Sequence, residues 1–348
     1  MSNIESLTKC LEPEKVKRNE PLSAHTTLGI GGKADLFYVT ETSGDLVKAV
    51  RLAKSFDIPV TVIGGGSNIL ISDLGVRGLV IKNRSKEIAI HKEGKFHAIL
   101  RGVVGARWMA SDKGSKKYDF ADLDYKETDK PDVEVVLDSG VNLQVAMAQL
   151  FDQGITGLQW YSRIPGTIGG AIFNNIHGGT HTFAEIVKKV VVLDKHGGIK
   201  TIAGKNLKSG YDKSRFHDSG EIILEVTLVL KLGDTERARR VAEEWKKRKM
   251  VQPMNSAGCV FKNISEEDRA ILGYPTTSVG YIVENILNMT GYKVGGAAIA
   301  DHHNFIINTG KATAKDYLAI RDEIVRRARE SVGIELEDEI MRIGDFNY

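Results

Sequence analysis

The spacing of apolar residues along the first 80 residues changes from that of a helix to that of strands. Thr42 and Asp45 form a capping-box pattern, which predicts that a helix begins there. The apolar face of that helix is formed by residues at helical spacing: Leu46, Ala49, Val50 and Ala53. The β-branched run Val60–Ile63 and the apolar run Ile69–Ile71 predict two strands. With an earlier strand beginning at Ala34, the pattern predicts a strand–helix–strand unit followed by a hairpin.

The same patterns predict further elements in the rest of the chain. A helix over 143–153 is expected to bury Leu143, Met147, Leu150 and Phe151 and to stop at Gly154. Other helices are expected over 237–250, over 278–287, and from the capping box at Thr313 to Gly333. Strands are expected at 133–137, 186–193 and 221–232, the last two in one sheet. Residues 334–343 alternate in polarity, which predicts a closing strand with Glu335, Glu337 and Glu339 on one face.

Three consecutive glycines, residues 64–66, stand between two of these strands and are followed by Ser67 and Asn68. Glycine tolerates positive φ and the close approach of another group, and successive backbone N–H groups in such a turn form an anion site suited to a diphosphate. A tight hairpin without a ligand explains the same residues equally well. The segment is not a Rossmann fingerprint, because Ile69 stands where the third glycine belongs. It also lacks the G-K-[ST] ending of a P-loop.

A second glycine-dense stretch, WYSRIPGTIGGAIFNN, occupies residues 160–175. Pro165, Gly166, Gly169 and Gly170 interrupt an otherwise apolar run, which we interpret as a second loop flanked by strands. Each glycine forgoes packing that a larger side chain would supply. Two such loops in one chain therefore favour ligand binding over plain hairpins.

The composition is that of an ordinary folded protein with two or three domains. The chain has 348 residues, of which 42% are hydrophobic and 27% charged. The net charge of +3 is too small to indicate a nucleic-acid partner, but it permits a basic pocket for a small anion. The 36 glycines cluster in loops and form no repeat, which also indicates contact between backbone and ligand.

The two cysteines, Cys10 and Cys259, lie far apart and form neither a disulfide framework nor a zinc motif. Four histidines, at positions 177, 181, 302 and 303, have no convincing metal spacing, so we expect no metal. No apolar run has membrane-spanning length, and the first residues lack the core of a signal peptide. We therefore expect a cytoplasmic protein, without a membrane partner.

Six motifs together resemble the UDP-N-acetylenolpyruvoylglucosamine reductases, the MurB family of peptidoglycan precursor synthesis. They are NEPLSAHTTLGIGG, VIGGGSNILISD, IPGTIGGA, SAGCVFKN, GYKVGGA and HHNFIINTG, and they follow the family's order from about residue 19 onward. The resemblance implies an α+β fold: an arm at 1–18, an FAD-binding region at 19–250 of the vanillyl-alcohol oxidase-like type, and a small α+β substrate-binding domain at 251–348. The FAD-binding region would have two subdomains, about 19–80 and 81–250, with a charged insert near 111–132.

The resemblance also implies which residues hold FAD. They are Thr27, Gly31, Ile63, Gly64, Gly65, Gly66, Ser67, Asn68, Ile164, Pro165, Gly166, Thr167, Gly169, Gly170 and Ala171. The family reaction transfers hydride from NADPH to FAD and then to the enolpyruvyl ether of UDP-N-acetylglucosamine, which gives UDP-N-acetylmuramate. Hydride addition creates an enolate-like anion that needs electrostatic stabilisation and a general acid.

By resemblance, Cys259 takes the place of the family's usual serine acid, and Glu339 matches the family's catalytic glutamate. A thiol, with an ordinary pKa of about 8.5, is mostly protonated at neutral pH and is a stronger acid than a hydroxyl. Without the motif, Cys259 would be interpreted as a small buried apolar residue and Glu339 as one of three solvent-facing glutamates.

The segment GYDKSRF, residues 210–216, departs from the family's Y-R-x-S-x-F pattern, because Asp212 stands where an arginine stabilises the enolate. Lys213 or Arg215 could supply the missing positive charge. A lysine common in the family is likewise replaced by Val251, with Lys249 close but not aligned. The residues that the resemblance assigns to the sugar nucleotide are Tyr211, Asn255, Lys262, Asn263 and His303.

Two other functions stay open on the sequence. One is an FAD oxidoreductase of the same fold with another substrate. The other is an inactive paralogue that binds a UDP-sugar or flavin, which the aspartate at position 212 would favour. Partners other than the UDP-sugar and NADPH are not expected, and we expect a monomer.

Overall fold

The computed structural model describes residues 3–92, 95–101, 123–250 and 252–347. Residues 111–122 of the predicted insert and Val251 lie outside the described residues. The chain divides into two compact units. The first comprises Met1–Pro13, Val39–Gly64 and Ile81–Lys249, and the second comprises Glu14–Tyr38, Gly65–Val80 and Met250–Tyr348. Both units are discontinuous along the chain, unlike the continuous domains expected from the sequence, whose boundaries stay a prediction.

The described residues contain both helices and strands. The strands are β1 Lys17–Pro21, β2 Lys33–Thr40, β3 Val60–Ile63, β4 Ile69–Ile71, β5 Val76–Asn83, β6 Glu87–Lys92, β7 Lys95–Arg101, β8 Asp132–Asp138, β9 Ile155–Thr156, β10 His177–Gly178, β11 His181–Thr182, β12 Val187–Leu193, β13 Ile199–Ala203, β14 Ile222–Leu232, β15 Lys293–Val294, β16 Ala297–Ile299, β17 Ile306–Asn308 and β18 Met341–Ile343. The α-helices are α1 Asn3–Cys10, α2 Ser43–Ser55, α3 Leu143–Asp152, α4 Ile168–Asn174, α5 Phe216–Ser219, α6 Thr235–Lys249, α7 Glu266–Leu272, α8 Val279–Tyr281 and α9 Ala314–Val332. A π-helical turn, Ile282–Ile286, follows α8.

The predicted helix boundaries are confirmed where a capping side chain sets them. The side chain of Thr42 accepts a hydrogen bond from Asp45 at the start of α2. Thr313 and Asp316 form a full capping box at the start of α9. That helix ends at Gly333 in the left-handed conformation. The apolar faces predicted for α2 and α3 are the faces these helices bury.

The first unit is built on a large antiparallel sheet with the strand order β13-β12-β14-β8-β6-β7, to which β9 adds at the end of β14. The predicted pairing of the strands near 186–193 and 221–232 in one sheet is confirmed. Apolar side chains of this sheet pack with α3 and α4 in one buried cluster. The strands β10 and β11 form a separate two-stranded hairpin.

The second unit has a three-stranded sheet, β15-β16-β17, and a parallel pair of β4 with β18. Its buried cluster joins α9 to the segment around Phe261 and to Leu28, Ile30 and Leu70. Both carboxylate oxygens of Asp73 accept from backbone N–H groups at the start of α9, at 2.8 and 3.0 Å. A carboxylate at this end of a helix stabilises it by satisfying amides that have no partner within the helix.

Three predictions about local structure are wrong. The strands β3 and β4 form as predicted but make no hairpin, because β4 pairs with β18, some 270 residues later in the chain. The stretch 160–175 is not a plain loop, since its apolar end forms the helix α4, although the two-residue strands β9 and β10 flank it. The closing strand covers only Met341–Ile343, because residues 337–339 bond irregularly to 260–262 instead of continuing a ladder.

Among the described residues, the helices are too short or too polar to cross a bilayer.

Candidate functional site

The glycine segment after β3 carries backbone amides that are available to a ligand. In the second unit, the backbone N–H groups of Gly65, Gly66 and Asn68 donate to none of the described residues. Gly65 is exposed, whereas Gly66 is buried. A buried amide without a partner is costly, so the Gly66 amide, together with the more accessible amides of Gly65 and Asn68, fits an anionic ligand such as a diphosphate.

Thr27 fixes the conformation of this segment through two hydrogen bonds. Its backbone N–H donates to the Gly66 carbonyl at 3.0 Å, and its Oγ1 donates to the Ser256 carbonyl at 2.6 Å. Gly66 has a φ of 74°, and a Cβ there would lie 2.2 Å from the His25 carbonyl oxygen. Gly31 is required for packing as well, because a Cβ there would lie 3.0 Å from the Cβ of Ile71. Glycine at these positions is therefore explained by contacts within the protein.

The loop at 164–171 lies in the first unit, and its backbone amides from Ile168 to Ala171 already have acceptors. The N–H groups of Ile168 and Gly169 donate to the carbonyls of Val141 and Ser139, at 2.9 and 2.8 Å. Thr167 caps α4 by accepting from the Gly170 N–H at 3.3 Å. Of the predicted cofactor residues nearby, Pro165 is exposed and Gly170 half-buried, while Ile63 is buried at the end of β3.

Buried polar side chains hold Ser139, the residue whose carbonyl accepts from the Gly169 N–H. The Asn83 side chain donates to Ser139 Oγ at 2.8 Å, and Ser139 Oγ donates to the Ile223 carbonyl at 2.6 Å. A Cβ on Gly169 would lie 2.9 Å from both the carbonyl oxygen and the Cβ of Ser139. A Cβ on Gly64 would lie 2.5 Å from Thr167 Oγ1. The loop is therefore held in one position by hydrogen bonds and close packing.

Lys249 contacts the residues that lead into the same loop. Its Nζ donates to the Ser162 carbonyl at 3.3 Å, and Arg163 Nε donates to the Lys249 carbonyl at 3.1 Å. Burial lowers the pKa of Lys249 to about 8. Arg163 has a φ of 62°, which is uncommon for a residue with a side chain. These contacts tie the end of α6 to the loop.

In the second unit, the structure brings the segments of Cys259 and Glu339 together. The Glu339 N–H donates to the carbonyl of Val260, the residue after Cys259, at 2.9 Å. The Asn68 side chain donates to the Glu339 carbonyl at 3.2 Å, and its Oδ1 lies 3.9 Å from the position of a Cβ on Gly258. The unbonded amides of the glycine segment, Cys259 and Glu339 thus belong to one region of this unit. Glu339 is half-buried, so it is not one of three equivalent solvent-facing glutamates.

Asn304, which is not among the predicted site residues, holds the Cys259 segment. Its side chain accepts from the Phe261 N–H at 3.1 Å and donates to the Phe261 carbonyl at 2.8 Å. Its own carbonyl accepts from the Val260 N–H at 2.8 Å. Asn304 is 4% exposed, so these bonds are shielded from water. Its place in the HHNF motif was the signal in the sequence.

Tyr317 adds a buried hydroxyl to the electrostatics of this region. Burial raises the pKa of Tyr317 well above its ordinary value, and the Asp338 carboxylate adds to the shift. Its hydroxyl has no hydrogen-bond partner among the described residues. Arg321 and Arg342 both pair with Asp338, at 2.7 and 2.8 Å. The charges around Tyr317 are therefore largely balanced.

The residues assigned to the sugar nucleotide are distributed over the second unit, apart from Tyr211. Lys262 pairs with Glu337 at 2.5 Å, and Asn255 donates to the Asn308 carbonyl at 2.5 Å. His303 contacts Thr290 at 2.9 Å and Glu284 at 3.4 Å. Asn263 is exposed. Lys262, Asn255 and His303 are therefore each held by other residues of the second unit.

The segment 210–216 lies in the first unit, and its basic residues are engaged. Arg215 makes a two-fold contact with Glu221, at 3.0 and 3.1 Å. The Nζ of Lys213, whose side chain is 59% exposed, lies 3.9 Å from Asp218. Asp212 points its Oδ1 toward Nδ1 of His177, at 3.5 Å. Arg215 is therefore held in place but already paired, whereas Lys213 is exposed and only loosely paired.

Two known family models match this chain, one over each of two parts of its sequence. Residues 34–108 and 119–203 match the family model of the FAD binding domain. Residues 250–343 match the model of the UDP-N-acetylenolpyruvoylglucosamine reductase C-terminal domain. These matches confirm the predicted α+β fold class, with an FAD-binding region followed by a small C-terminal domain.

Whole-chain similarity extends to curated and solved relatives. The chain is 30% identical to UDP-N-acetylenolpyruvoylglucosamine reductase of Lachnoclostridium phytofermentans, over 99% of both chains. It is 33% identical to the protein of that name from Heliobacterium modesticaldum, over 94% of this chain and 90% of the relative. The crystal structure of the Thermus caldophilus reductase is similar at 27% identity and a TM-score of 0.67, covering 95% of this chain and 99% of that chain.

Proposed function

The chain belongs to the UDP-N-acetylenolpyruvoylglucosamine reductase family, and we propose that it reduces UDP-N-acetylglucosamine enolpyruvate to UDP-N-acetylmuramate with NADPH and FAD. The observation that carries the proposal is the direct backbone bond between the segments of Cys259 and Glu339, beside the unbonded amides of the glycine segment. This arrangement supplies an acid, a carboxylate and an anion site within one unit.

The cofactor would be held by both glycine-rich segments. In the second unit, the unbonded amides of Gly65, Gly66 and Asn68 are suited to the diphosphate, with Thr27 and Gly31 fixing their conformation. Ser67 would lie beside the same group. In the first unit, the cofactor would contact the surface of the loop formed by Ile164, Pro165, Gly166, Thr167, Gly169, Gly170 and Ala171, together with Ile63 and Gly64. When bound, FAD supplies the transfer of electrons and hydrogen from NADPH to the substrate.

The protein's own chemical task is to manage a proton and a negative charge. Cys259 would donate a proton to the carbon that bears the substrate carboxylate, while Glu339 polarises the substrate. Asn304 holds the Cys259 segment through both backbone groups of Phe261, so the thiol is positioned in advance. Lys213 or Arg215 would oppose the charge of the enolate, although Arg215 already pairs with Glu221.

The sugar nucleotide would be bound by Tyr211, Asn255, Lys262, Asn263 and His303. An aromatic ring, amides and a cation are the groups that recognise a uracil ring, hydroxyls and phosphates. Both substrates are water-soluble nucleotides, so we expect the protein to act in the cytoplasm as a monomer, in the synthesis of peptidoglycan precursors.

The visible spectrum of the purified protein under anaerobic NADPH tests the proposal. We expect bound flavin to bleach with NADPH and to recover when the enolpyruvyl UDP-sugar is added. Flavin that bleaches and then fails to recover would show an oxidoreductase with another substrate. Protein that takes up no flavin from excess FAD would be an inactive paralogue, and the proposal would be rejected.

Substitution of Cys259 tests the identity of the acid. Cys259→Ser should keep part of the activity, since a hydroxyl can donate the same proton. Cys259→Ala should lose most turnover while NADPH still bleaches the flavin at the normal rate. Turnover of Cys259→Ala equal to that of the unmodified protein would remove Cys259 from the mechanism.

A further inference from the structure

A strained turn stands directly before the second glycine-rich loop, within the first unit. Ser162 has φ and ψ of −55° and 137°, and Arg163 has a φ of 62°. The Ile164 N–H donates to the Tyr161 carbonyl at 3.1 Å, which closes the turn. These are the features of a type II turn, whose third residue is ordinarily glycine or asparagine because φ is positive there. An arginine in this conformation costs free energy, so other contacts must hold it.

The side chain of Gln144 bonds three backbone groups of this turn. Its Nε2 donates to the carbonyl of Tyr161 at 3.0 Å and to that of Ile164 at 2.9 Å. Its Oε1 accepts from the Arg163 N–H at 2.8 Å. The two N–H groups of the amide meet two carbonyls and its oxygen meets an N–H, so only one orientation of the side chain satisfies the turn. Gln144 thus offsets the strain at Arg163 by bonding that residue and both ends of the turn.

The place of Gln144 in the fold makes it a rigid support. It lies in the first turn of α3, directly after Leu143, and Asn142 caps that helix. The Leu143 N–H, one of the first of the helix, donates to the Gly166 carbonyl at 3.1 Å. The start of α3 therefore bonds the turn at 161–164 through a side chain and the cofactor loop through the backbone. Because the apolar face of α3 belongs to the buried cluster of the unit, this support cannot move easily.

The backbone after the turn is the part that would contact the cofactor. The N–H groups of Gly166 and Thr167 donate to none of the described residues, unlike those from Ile168 to Ala171. Proline has a fixed φ, so Pro165 cannot absorb a change in the turn, and both amides would shift with it. A contact with a ligand weakens when its supporting residues leave it loosely placed.

Contacts from the end of α6 do not replace those of Gln144. Lys249 Nζ donates to the Ser162 carbonyl at 3.3 Å, and Arg163 Nε donates to the Lys249 carbonyl at 3.1 Å. Neither bond involves the three backbone groups that Gln144 holds. Removal of the Gln144 amide therefore takes away the support of the positive φ at Arg163.

We propose that Gln144 is a positioning residue for FAD, which holds the turn at 161–164 and thereby fixes the place of the Gly166 and Thr167 amides. The inference rests on the proposed function, in which the loop at 164–171 contacts FAD. FAD affinity should then depend on the Gln144 amide only while residue 163 is strained. A glycine at that position, which adopts positive φ freely, should make the support unnecessary.

Replacement of the amide tests the contact. Gln144→Met keeps the length of the side chain and removes all three hydrogen bonds, so the dissociation constant of FAD should rise about tenfold. Gln153→Met is the matched control at the C-cap of the same helix, where the side chain makes no hydrogen bond to the described residues. It should change the constant by less than about threefold. The fluorescence of FAD released on dilution of the holoenzyme measures both constants.

Relief of the strain tests how Gln144 acts. Arg163→Gly alone should change the dissociation constant of FAD by less than about threefold, since glycine adopts this turn without support. Added to Gln144→Met, it should restore FAD affinity to within about threefold of the unmodified protein. A side chain that only stabilised the fold would give no such rescue, because the effects of independent substitutions add.

FAD affinity of Gln144→Met equal to that of the unmodified protein would overturn the inference and leave the proposed function intact. An equal loss in Gln153→Met, or a double variant that binds FAD no more tightly than Gln144→Met, would overturn it as well. Should Gln144→Met fail to fold, Gln144→Glu gives the same comparison, since a carboxylate accepts from the Arg163 N–H and donates to neither carbonyl. An unmodified protein that takes up no FAD would reject both the inference and the proposed function.

Discussion

The two glycine-rich segments look alike in the sequence and differ in what their backbone amides do. In the segment 64–68, the N–H groups of Gly65, Gly66 and Asn68 donate to none of the described residues. In the loop 164–171, the N–H groups of Ile168, Gly169, Gly170 and Ala171 all have acceptors within the protein, whereas those of Gly166 and Thr167 donate to none of the described residues. The first segment offers donors to an anion, and the helical part of the second offers a close-packed surface.

The difference teaches that glycine density alone does not identify a ligand contact. At Gly66 and Gly169 a side chain would collide with protein atoms, so glycine is needed there with or without a cofactor. The informative property is whether the amide is already bonded. Substitutions in the two segments can therefore show which residues are needed for packing and which for contact with a ligand.

The largest effect is expected for Gly66→Ala. The new Cβ would lie 2.2 Å from a backbone oxygen, at a φ of 74°, so the backbone must move. We expect the free energy of unfolding to fall by roughly 3 kcal/mol, from overpacking and left-handed strain together, and FAD binding to be lost. Chemical denaturation of the apoprotein measures the first quantity.

Gly273→Ala is the matched control for this strain. Gly273 has a φ of 67° in the same unit, but a Cβ there would meet no atom within 4 Å. The free energy of unfolding of Gly273→Ala should fall by only about 1 kcal/mol. Equal losses for the two variants would mean that the contact with the His25 carbonyl does not constrain the segment.

A smaller effect is expected for Gly169→Ala in the second loop. A Cβ would lie 2.9 Å from Ser139, whose carbonyl is itself bonded to the Gly169 N–H. Overpacking should cost about 2 kcal/mol of unfolding free energy, partly offset by the better helix propensity of alanine. Denaturation of the apoprotein gives the value, and an unchanged midpoint would show that the loop can shift freely.

Local features of the fold could be predicted from sequence because their causes are local. The helices α2 and α9 begin at threonines that cap them, and their buried faces follow from spacing alone. The motifs also assign Cys259 and Glu339 to one site, which stays a prediction, and the fold bonds their two segments through the Glu339 N–H and the Val260 carbonyl.

Pairing between strands, and contacts between side chains, that lie far apart in the sequence could not be predicted. Nothing near β4 indicates that it pairs with β18 rather than β3. Arg215 looked available in the sequence, yet Glu221 holds it through two bonds. The contact of Asp212 with His177 joins a turn to a hairpin 35 positions earlier, and no pattern in either segment signals it.

The threonines of the two segments, Thr27 and Thr167, should differ in their effect on FAD binding. Thr27→Val removes the donor to the Ser256 carbonyl, and Thr167→Val removes the cap of α4. Each should lower the unfolding free energy by about 1 kcal/mol. Thr27→Val should also weaken FAD binding about tenfold, and more than Thr167→Val does, since Thr27 orients the Gly66 peptide beside the unbonded amides. Titration of the apoproteins with FAD measures this, and an equal weakening by both variants would contradict the distinction between the segments.

The smallest effect on stability is expected for Gly170→Ala, one residue after Gly169. A Cβ at this position would meet only Thr167 Oγ1, at 3.7 Å, which is an ordinary contact. Alanine is the better helix former, so the apoprotein should be more stable by up to about 1 kcal/mol. FAD affinity should nevertheless fall, because the methyl group would occupy space on the loop surface proposed to face the cofactor. Unchanged affinity in the stabilised variant would mean that the loop makes no contact with FAD at this position, and that the unbonded amides of Gly65, Gly66 and Asn68 carry the contact with FAD.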